Sequence, residues 1–352
     1  MDYKKEIDEL VDLLIKEGAS DLHLSTGRTP VIRVSGNLIP LVKKPVLSAA
    51  DMKGFVSAFL SPENKILLEN DKDVDFSYSL PHARFRGNAF YRQGALSVAL
   101  RLIPKVIRTL SELNLPPILE TFTRKPQGFF LVVGPIGQGK TTTLASLVEI
   151  INQTRTEHIL TIEDPIEYVF ESKKSIIDQR EVRIDTPGFP EGLNAMFRED
   201  IDVCMIGEMR EIDTIATAVT AAETGHLILS TLHTNNAAQT IDRIIDSFPN
   251  GQQDQIRVQL AGTLTGIFSQ RLIPRISGGL IPAYELLINN NAVSNLIRER
   301  RTHEINTVIE TGSQEGMVDM NRSLAELVRA GEITVESAYN NSLNPKTLER
   351  MI

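Results

Sequence analysis

The sequence predicts an α/β protein: a parallel sheet wrapped by helices around a phosphate-binding loop, preceded by a smaller α+β domain. Three observations carry this reading. Gly134-Pro135-Ile136-Gly137-Gln138-Gly139-Lys140-Thr141 fits the phosphate-loop pattern G-x-x-x-x-G-K-[ST] at every required position. From Gly128 onward, short apolar runs alternate with helical patterns, as parallel strands joined by crossover helices do. Before Pro104, strand-like and helical runs interleave in the manner of a small α+β domain.

Residues 4–17 put Ile7, Leu10, Val11 and Leu14 on one helical face, and Gly18 suits the C-terminal cap. Asp21 to Ser25 and Val31 to Val34 alternate like strands, with Ser35-Gly36-Asn37 as a tight turn into Leu38 to Leu41. A helix is expected around Asp51 to Leu60, then strands over Arg84 to Tyr91 and Leu96 to Ile103. Residues 1–104 are thus expected to form the first domain. Residues 105–125, with Pro116-Pro117, read as an inter-domain connection carrying one helix, and residues 126–352 as the second domain. In that domain Phe129 to Val133 is the strand before the loop, and Thr142 to Glu149 begins the helix after it. His158 to Ile162, Val203 to Ile206 and His226 to Thr231 are further apolar runs, with a helix over Glu211 to Ala222 between the last two. After Ser269 the pattern reads as mostly helical; Leu324, Leu327 and Val328 mark one helix, ended by Gly331.

Composition narrows the function. A chain of 352 residues can build two or three cores. Its formal net charge of -8 argues against nucleic acid as the main partner, because phosphate binding favours a basic face. The lone cysteine, Cys204, lies in an apolar run and excludes both a disulfide framework and a four-cysteine zinc site. No apolar run approaches the roughly 18 residues of a membrane span. The N-terminal residues lack the apolar core of a signal peptide, so a cytoplasmic location is expected.

The loop implies nucleoside triphosphate binding. Gly134, Gly137 and Gly139 let backbone amides converge on phosphate oxygens, Lys140 reaches the β- and γ-phosphates, and the Thr141 hydroxyl suits Mg²⁺. Hydrolysis further needs carboxylates at strand C-terminal ends and positive charge for the transition state. Glu163 and Asp164 follow one apolar run. Glu208 follows another, with Gly207 in the position where a Walker B acid usually stands. Asp164 before Pro165 also reads as a helix N-cap. His226 and His233 flank the third run; each suits a surface or capping role, and each can donate to a γ-phosphate. Arg84 and Arg86 alternate with Phe85 on one strand face, and Arg101 follows in the next strand. Such a face is ordinarily solvated, but it supplies transition-state charge if it packs against a nucleotide.

Together these blocks resemble the secretion ATPase superfamily, and within it the type IV pilus retraction ATPases of the PilT family. Gly134 through Thr141, Thr142 and Thr143 is similar to the family's Walker A element. Thr161 through Tyr168 is similar to its Asp box, Arg198 through Arg210 to its atypical Walker B, and Thr220 through Thr234 to its His box. Ala19 to Leu24 and the segments Asn295–Glu299, Thr302–Ile305 and Thr311–Met317 extend the likeness to both ends.

The resemblance implies an N-terminal PAS-like domain and a RecA-like P-loop ATPase domain, assembled as a homohexamer that hydrolyses ATP with Mg²⁺. Glu163 would be general base or water-positioning group, and Glu208 with Thr141 would hold Mg²⁺. His226 would read the γ-phosphate, Thr142 and His233 would line the nucleotide, and Arg86 and Arg101 would reach the phosphates. It further implies a peripheral inner-membrane location and a pilus platform protein as partner, with or without an accessory motor alongside. Retraction and twitching motility are the expected function; a PilU-like accessory motor, an extension or type II secretion ATPase, and a conjugation-type nucleic-acid translocase are the alternatives. The chain departs from the family at Gln138 (usually small), Ile201 (commonly proline) and Ser294 (arginine in the A-I-R-N-L-I block).

Overall fold

Asp2 starts the first helix, α1 (Tyr3–Lys16), by accepting from the amides of Lys4 and Lys5. The helix buries Ile7, Leu10, Val11 and Leu14, and burial of each such side chain contributes about 1.5–3 kcal/mol. Gly18, with φ of 62°, turns the chain out of it. The computed structural model describes residues 2–34, 36–103 and 106–352. Ser35 of the expected turn and Pro104, the expected end of the first domain, lie outside the described residues. The chain divides into two compact units, residues up to Val106 with Glu167–Val169, and Ile107–Ile166 with Phe170–Ile352.

In the first unit α1 is followed by β1 (Asp21–Ser25), β2 (Val31–Val34), β3 (Asn37–Pro40), α2 (Ala49–Phe59), α3 (Pro62–Asp71), β4 (Asp73–Leu80), β5 (Ala83–Arg92) and β6 (Ala95–Ile103). The strands form one antiparallel sheet in the order β3-β2-β1-β6-β5-β4. Alternation sends Leu22, Leu24, Ile32, Phe76, Phe85, Ala89, Val98 and Leu100 into a core shared with the helices. The sequence reading passes over α3 and β4, although Asp73-Val74-Asp75-Phe76 alternates exposed and buried as a half-buried strand should.

The second unit begins with buried Leu110 and Leu115 and a short helix α4 (Glu120–Thr123), whose Phe122 ring lies 4.3 Å from that of Phe130. Then come β7 (Gly128–Val133), α5 (Lys140–Thr154), β8 (His158–Glu163), β9 (Ile176–Glu181), α6 (Phe189–Met196), β10 (Val203–Ile206), α7 (Ile212–Glu223), β11 (Leu227–Leu232), α8 (Ala237–Asp246) and α9 (Asn250–Thr263). Two further strands, β12 (Leu264–Pro274) and β13 (Leu280–Ile288), precede α10 (Asn291–Arg298), α11 (Ile305–Thr311), α12 (Met320–Arg329), α13 (Val335–Asn341) and α14 (Pro345–Glu349). The sheet order is β13-β12-β7-β11-β10-β8-β9, parallel except for β13. All residues of β7, β10 and β11 are buried, as central parallel strands require. Phe129, Leu131 and Val133 join the core of α6 to α11, including Cys204, whose thiol pKa is pushed up by burial.

The segment after Ser269 is therefore not mostly helical until Asn291. Gln270 and Arg271 interrupt the apolar run of β12 and hide its strand character from a periodicity reading. The β12–β13 hairpin runs on past the parallel strands. There Ile273, Ile281 and Ala283 pack with Met320, Leu324, Ala325, Ile333, Ala338 and Leu348 in a separate core. Among the described residues no helix is long and apolar enough to cross a membrane.

Glu285 of β13 is buried and accepts from the Ala237 amide at 2.8 Å, at the start of α8. Burial pushes its carboxyl up to about 7, against the Ala237 hydrogen bond; Asp319 adds to the rise and Arg271 opposes it. Between its ordinary carboxylate range and about 7 the unfolded chain has released this proton while the folded chain keeps it, so stability falls as pH rises through that window. Glu285→Gln keeps the acceptor and mimics the protonated acid. Thermal unfolding should show the variant close to wild type at pH 5 and more stable at pH 8, by on the order of 2 kcal/mol. Equal melting at both pH values would contradict the shift.

Candidate active site

The site grows from the end of β7. The loop from Gly134 to Gly139 turns back into α5 through backbone that only glycine adopts easily: φ is 148° at Gly134, 78° at Gly137 and 76° at Gly139. Gly134 is also fixed by space, because a Cβ there would stand 2.4 Å from the carbonyl oxygen of Gln270. Gly139 occupies the N-cap of α5 with no side-chain cap bond, so first-turn amides face the loop. The donor set, backbone amides at a helix N-terminus beside an ammonium, suits a polyphosphate.

Lys140 is 6% exposed, and its Nζ donates to the carbonyls of Gly134 and Pro135, both at 2.8 Å. The same ammonium lies 3.1 Å from His233 Nδ1. An ammonium can only donate, so Nδ1 accepts and the imidazole proton sits on Nε2. That nitrogen lies 3.4 Å from Glu208 Oε2, and the other Glu208 oxygen is 2.9 Å from Arg210 Nη2. His233 thus bridges the loop lysine to a carboxylate two strands away. Thr141 and Thr142 are half-buried in the first turn of α5.

Glu163 ends β8 and is 2% exposed. Its Oε1 accepts from Thr161 Oγ1 at 2.7 Å and from Gln179 Nε2 at 3.2 Å. Register aligns these groups: Val133 pairs with Leu232, and Ile206 pairs with both Ile162 and Ser230. The residues after those pairs, Gly134, His233, Gly207 and Glu163, therefore sit on one edge of the sheet, where ligands bind in open α/β folds. Gly207 donates to the Ile162 carbonyl at 2.8 Å and its own carbonyl accepts from Thr231 Oγ1 at 2.7 Å, which fixes the start of the Glu208 segment. Asp164 caps no helix; it lies 3.8 Å from Arg183.

The structure does not bring His226 to this cluster. It stands just before β11, at the opposite edge, where its carbonyl accepts from the Gly128 amide and its Nδ1 lies 2.9 Å from the Ala221 carbonyl. Its ring meets Phe197 edge-on at 5.6 Å. A strand rises about 3.3 Å per residue, so the length of β11 separates it from His233. The expected γ-phosphate contact from His226 is corrected on this ground for the site of its own chain.

Arg86 and Arg101 belong to the first unit, where they are opposite one another on β5 and β6 and both exposed. Arg101 Nε donates to Asp21 Oδ1 at 2.9 Å, and Arg33, on the far side of β1, lies 3.8 Å from the same carboxylate. Burial raises the Asp21 pKa, but hydrogen bonds from Ser20 and Arg101 outweigh it and hold the group below the usual carboxylate range. The residues that sequence reasoning missed are Gln179 and Gln270, single amides in apolar or mixed runs with no motif to mark them. Ser294 Oγ donates to the Ala261 carbonyl at 2.9 Å, so this departure faces inward.

Comparison with known proteins adds a family. The family model for type II/IV secretion system proteins matches residues 3–329. The type IV pilus retractation ATPase PilT of Pseudomonas aeruginosa is 42% identical over 342 residues, covering 97% of this chain and 99% of that protein. A twitching motility protein of Neisseria gonorrhoeae is 44% identical over 322 residues, covering 91% of this chain and 86% of that one. A crystal structure of the pilus retraction motor PilT with bound ADP superposes with a TM-score of 0.92 at 45% identity, covering 97% of this chain and 98% of that chain.

The contact at Gly134 yields a direct check. Gly134→Ala forces the loop away from Gln270, and nucleotide affinity should fall at least tenfold while the circular dichroism spectrum stays that of the wild type. Unchanged ADP affinity would show that the loop tolerates a Cβ there.

Proposed function

The chain belongs to the type II/IV secretion system protein family, and on that premise we propose that it is an ATP-hydrolysing motor that retracts a type IV pilus. The single observation that carries the catalytic part is the Lys140–His233–Glu208 bridge on the strand edge that also bears Glu163. A loop lysine tied through an imidazole to a carboxylate links phosphate occupancy to the carboxylates of the reaction.

In this reading the second unit is RecA-like and the first PAS-like, and residues 126–352 form the ATPase domain. The amides of the loop cradle the phosphates, and Lys140 exchanges its carbonyl partners for β- and γ-phosphate oxygens. Glu163 orients a water for attack on the γ-phosphorus and accepts its proton as the bond to the β–γ bridging oxygen breaks, leaving ADP and phosphate. His233, with its proton on Nε2 and Lys140 at Nδ1, is the group that registers the γ-phosphate. The hydroxyl of Thr141 and the carboxylate of Glu208 are hard oxygen donors of the kind Mg²⁺ takes. They would hold the ion directly or through water, and Mg²⁺ when bound neutralises phosphate charge. Arg86 and Arg101 are the arginines to which this reading gives the transition-state charge, with Asp21 aiming Arg101. A homohexameric ring working against an inner-membrane pilus platform protein, with or without an accessory motor, converts hydrolysis into withdrawal of pilin.

Steady-state ATPase assays test the chemistry. Glu163→Gln should lower kcat by about 10²–10⁴, the usual worth of a general base, while ADP binding stays near the wild-type level. Turnover at the wild-type rate would remove Glu163 from its role.

A further inference from the structure

Gln138 departs from the small residue usual in the family, and its side chain has a specific partner. Strand β12 pairs in parallel with β7 as far as Ser269 opposite Val133, but β12 continues to Pro274. Among the described residues no strand lies beside the β7-facing edge of β12 beyond Ser269, and the phosphate loop occupies that place. Gln138 Oε1 accepts from the Leu272 amide at 2.6 Å, completing the ladder with a side chain where β7 has ended. The Gln138 carbonyl accepts from Gln270 Nε2 at 2.8 Å. Gln270, itself buried, also accepts through Oε1 from Thr143 Oγ1 in the first turn of α5 at 2.7 Å. Both ends of the loop therefore rest on β12: Gly134 lies against the Gln270 carbonyl, and Gln138 against Gln270 and Leu272.

We propose that Gln138 is a positioning residue that clamps the phosphate loop to β12 and holds it in its phosphate-accepting shape before nucleotide binds. The inference rests on the nucleotide-binding reading of the loop. Its physical basis is preorganisation. A loop with three glycines in left-handed or glycine-favoured backbone has many alternative shapes, and ordering them on binding subtracts from affinity. A clamp formed within the protein removes part of that cost. A serine at this position is too short to reach Leu272. The anchor is itself firmly held, because β12 pairs with β13 through Pro274 and Arg271 donates to the Asn341 carbonyl at 2.8 Å. Gln138, together with Gln270, thus ties the nucleotide loop to the hairpin and its helices.

The test is nucleotide affinity in Gln138→Met, which keeps the length of the side chain and removes the acceptor. Titration with fluorescently labelled ADP should give a Kd about fivefold above wild type, the worth of one hydrogen bond. The KM for ATP should rise by the same factor with kcat within about twofold, since no group in contact with the reacting atoms is lost. The nucleotide-free melting temperature should stay within about 2 °C of wild type. Gln138→Ser should behave as Gln138→Met. The clamp is overturned if both variants bind ADP as the wild type does, if kcat falls with KM unchanged, or if the loss of affinity follows a drop in nucleotide-free melting. A wild-type protein that binds no ADP would instead overturn the reading of the loop, and the clamp with it.

Discussion

Parallel register is the constraint on which the site depends. β8, β10, β11 and β7 pair side by side with little stagger, so their C-terminal ends fall on one edge and the residue after each strand is delivered to the same place. No residue of the cluster chooses its position independently. Glu163, Glu208, His233 and the first loop glycine arrive there because four buried apolar strands end together. The same register carries His226 to the far edge, although it is only seven positions from His233 in a single run of chain. A one-residue slip in a strand would carry each side chain to the opposite face of the sheet, and in the wholly buried β7, β10 and β11 it would break the packing on both faces.

On that edge the chain accepts charges in little water and supplies each with partners. Lys140 is buried against two carbonyls and an imidazole, and Glu163 against a threonine hydroxyl and a glutamine amide. Buried charges persist only when so satisfied. The more exposed acid, Glu208, is instead bracketed by Arg210 and His233. The two carboxylates therefore have different surroundings: Glu163 is buried and Glu208 is the more exposed.

Much of this was legible in the sequence because its signals are local. The phosphate loop needs glycine at backbone positions that a pattern can count, and amphipathic α1 or apolar β10 announce themselves by period. The α/β class follows from such signals. What was not legible depends on tertiary neighbours. β12 reads as polar in its middle because Gln270 and Arg271 serve the loop and the C-terminal helices rather than an apolar core. Gln138 looks like a misplaced bulky residue until the unpaired edge of β12 is seen beside it. His226 and His233 look equivalent in the sequence, and only strand direction separates them. Gln179 supports Glu163 from β9, a strand that the periodicity reading never proposed.

The strand edge that bears Lys140, Glu163, Glu208 and His233 is the proposed engine of pilus withdrawal. The most direct measurement is pilus length in a piliated, retraction-deficient strain that expresses either this chain or its Lys140→Ala variant at matched levels. The wild-type chain should give short pili and restored twitching, and the variant long pili. Equal pilus lengths with the two proteins, whether long or short, would contradict it.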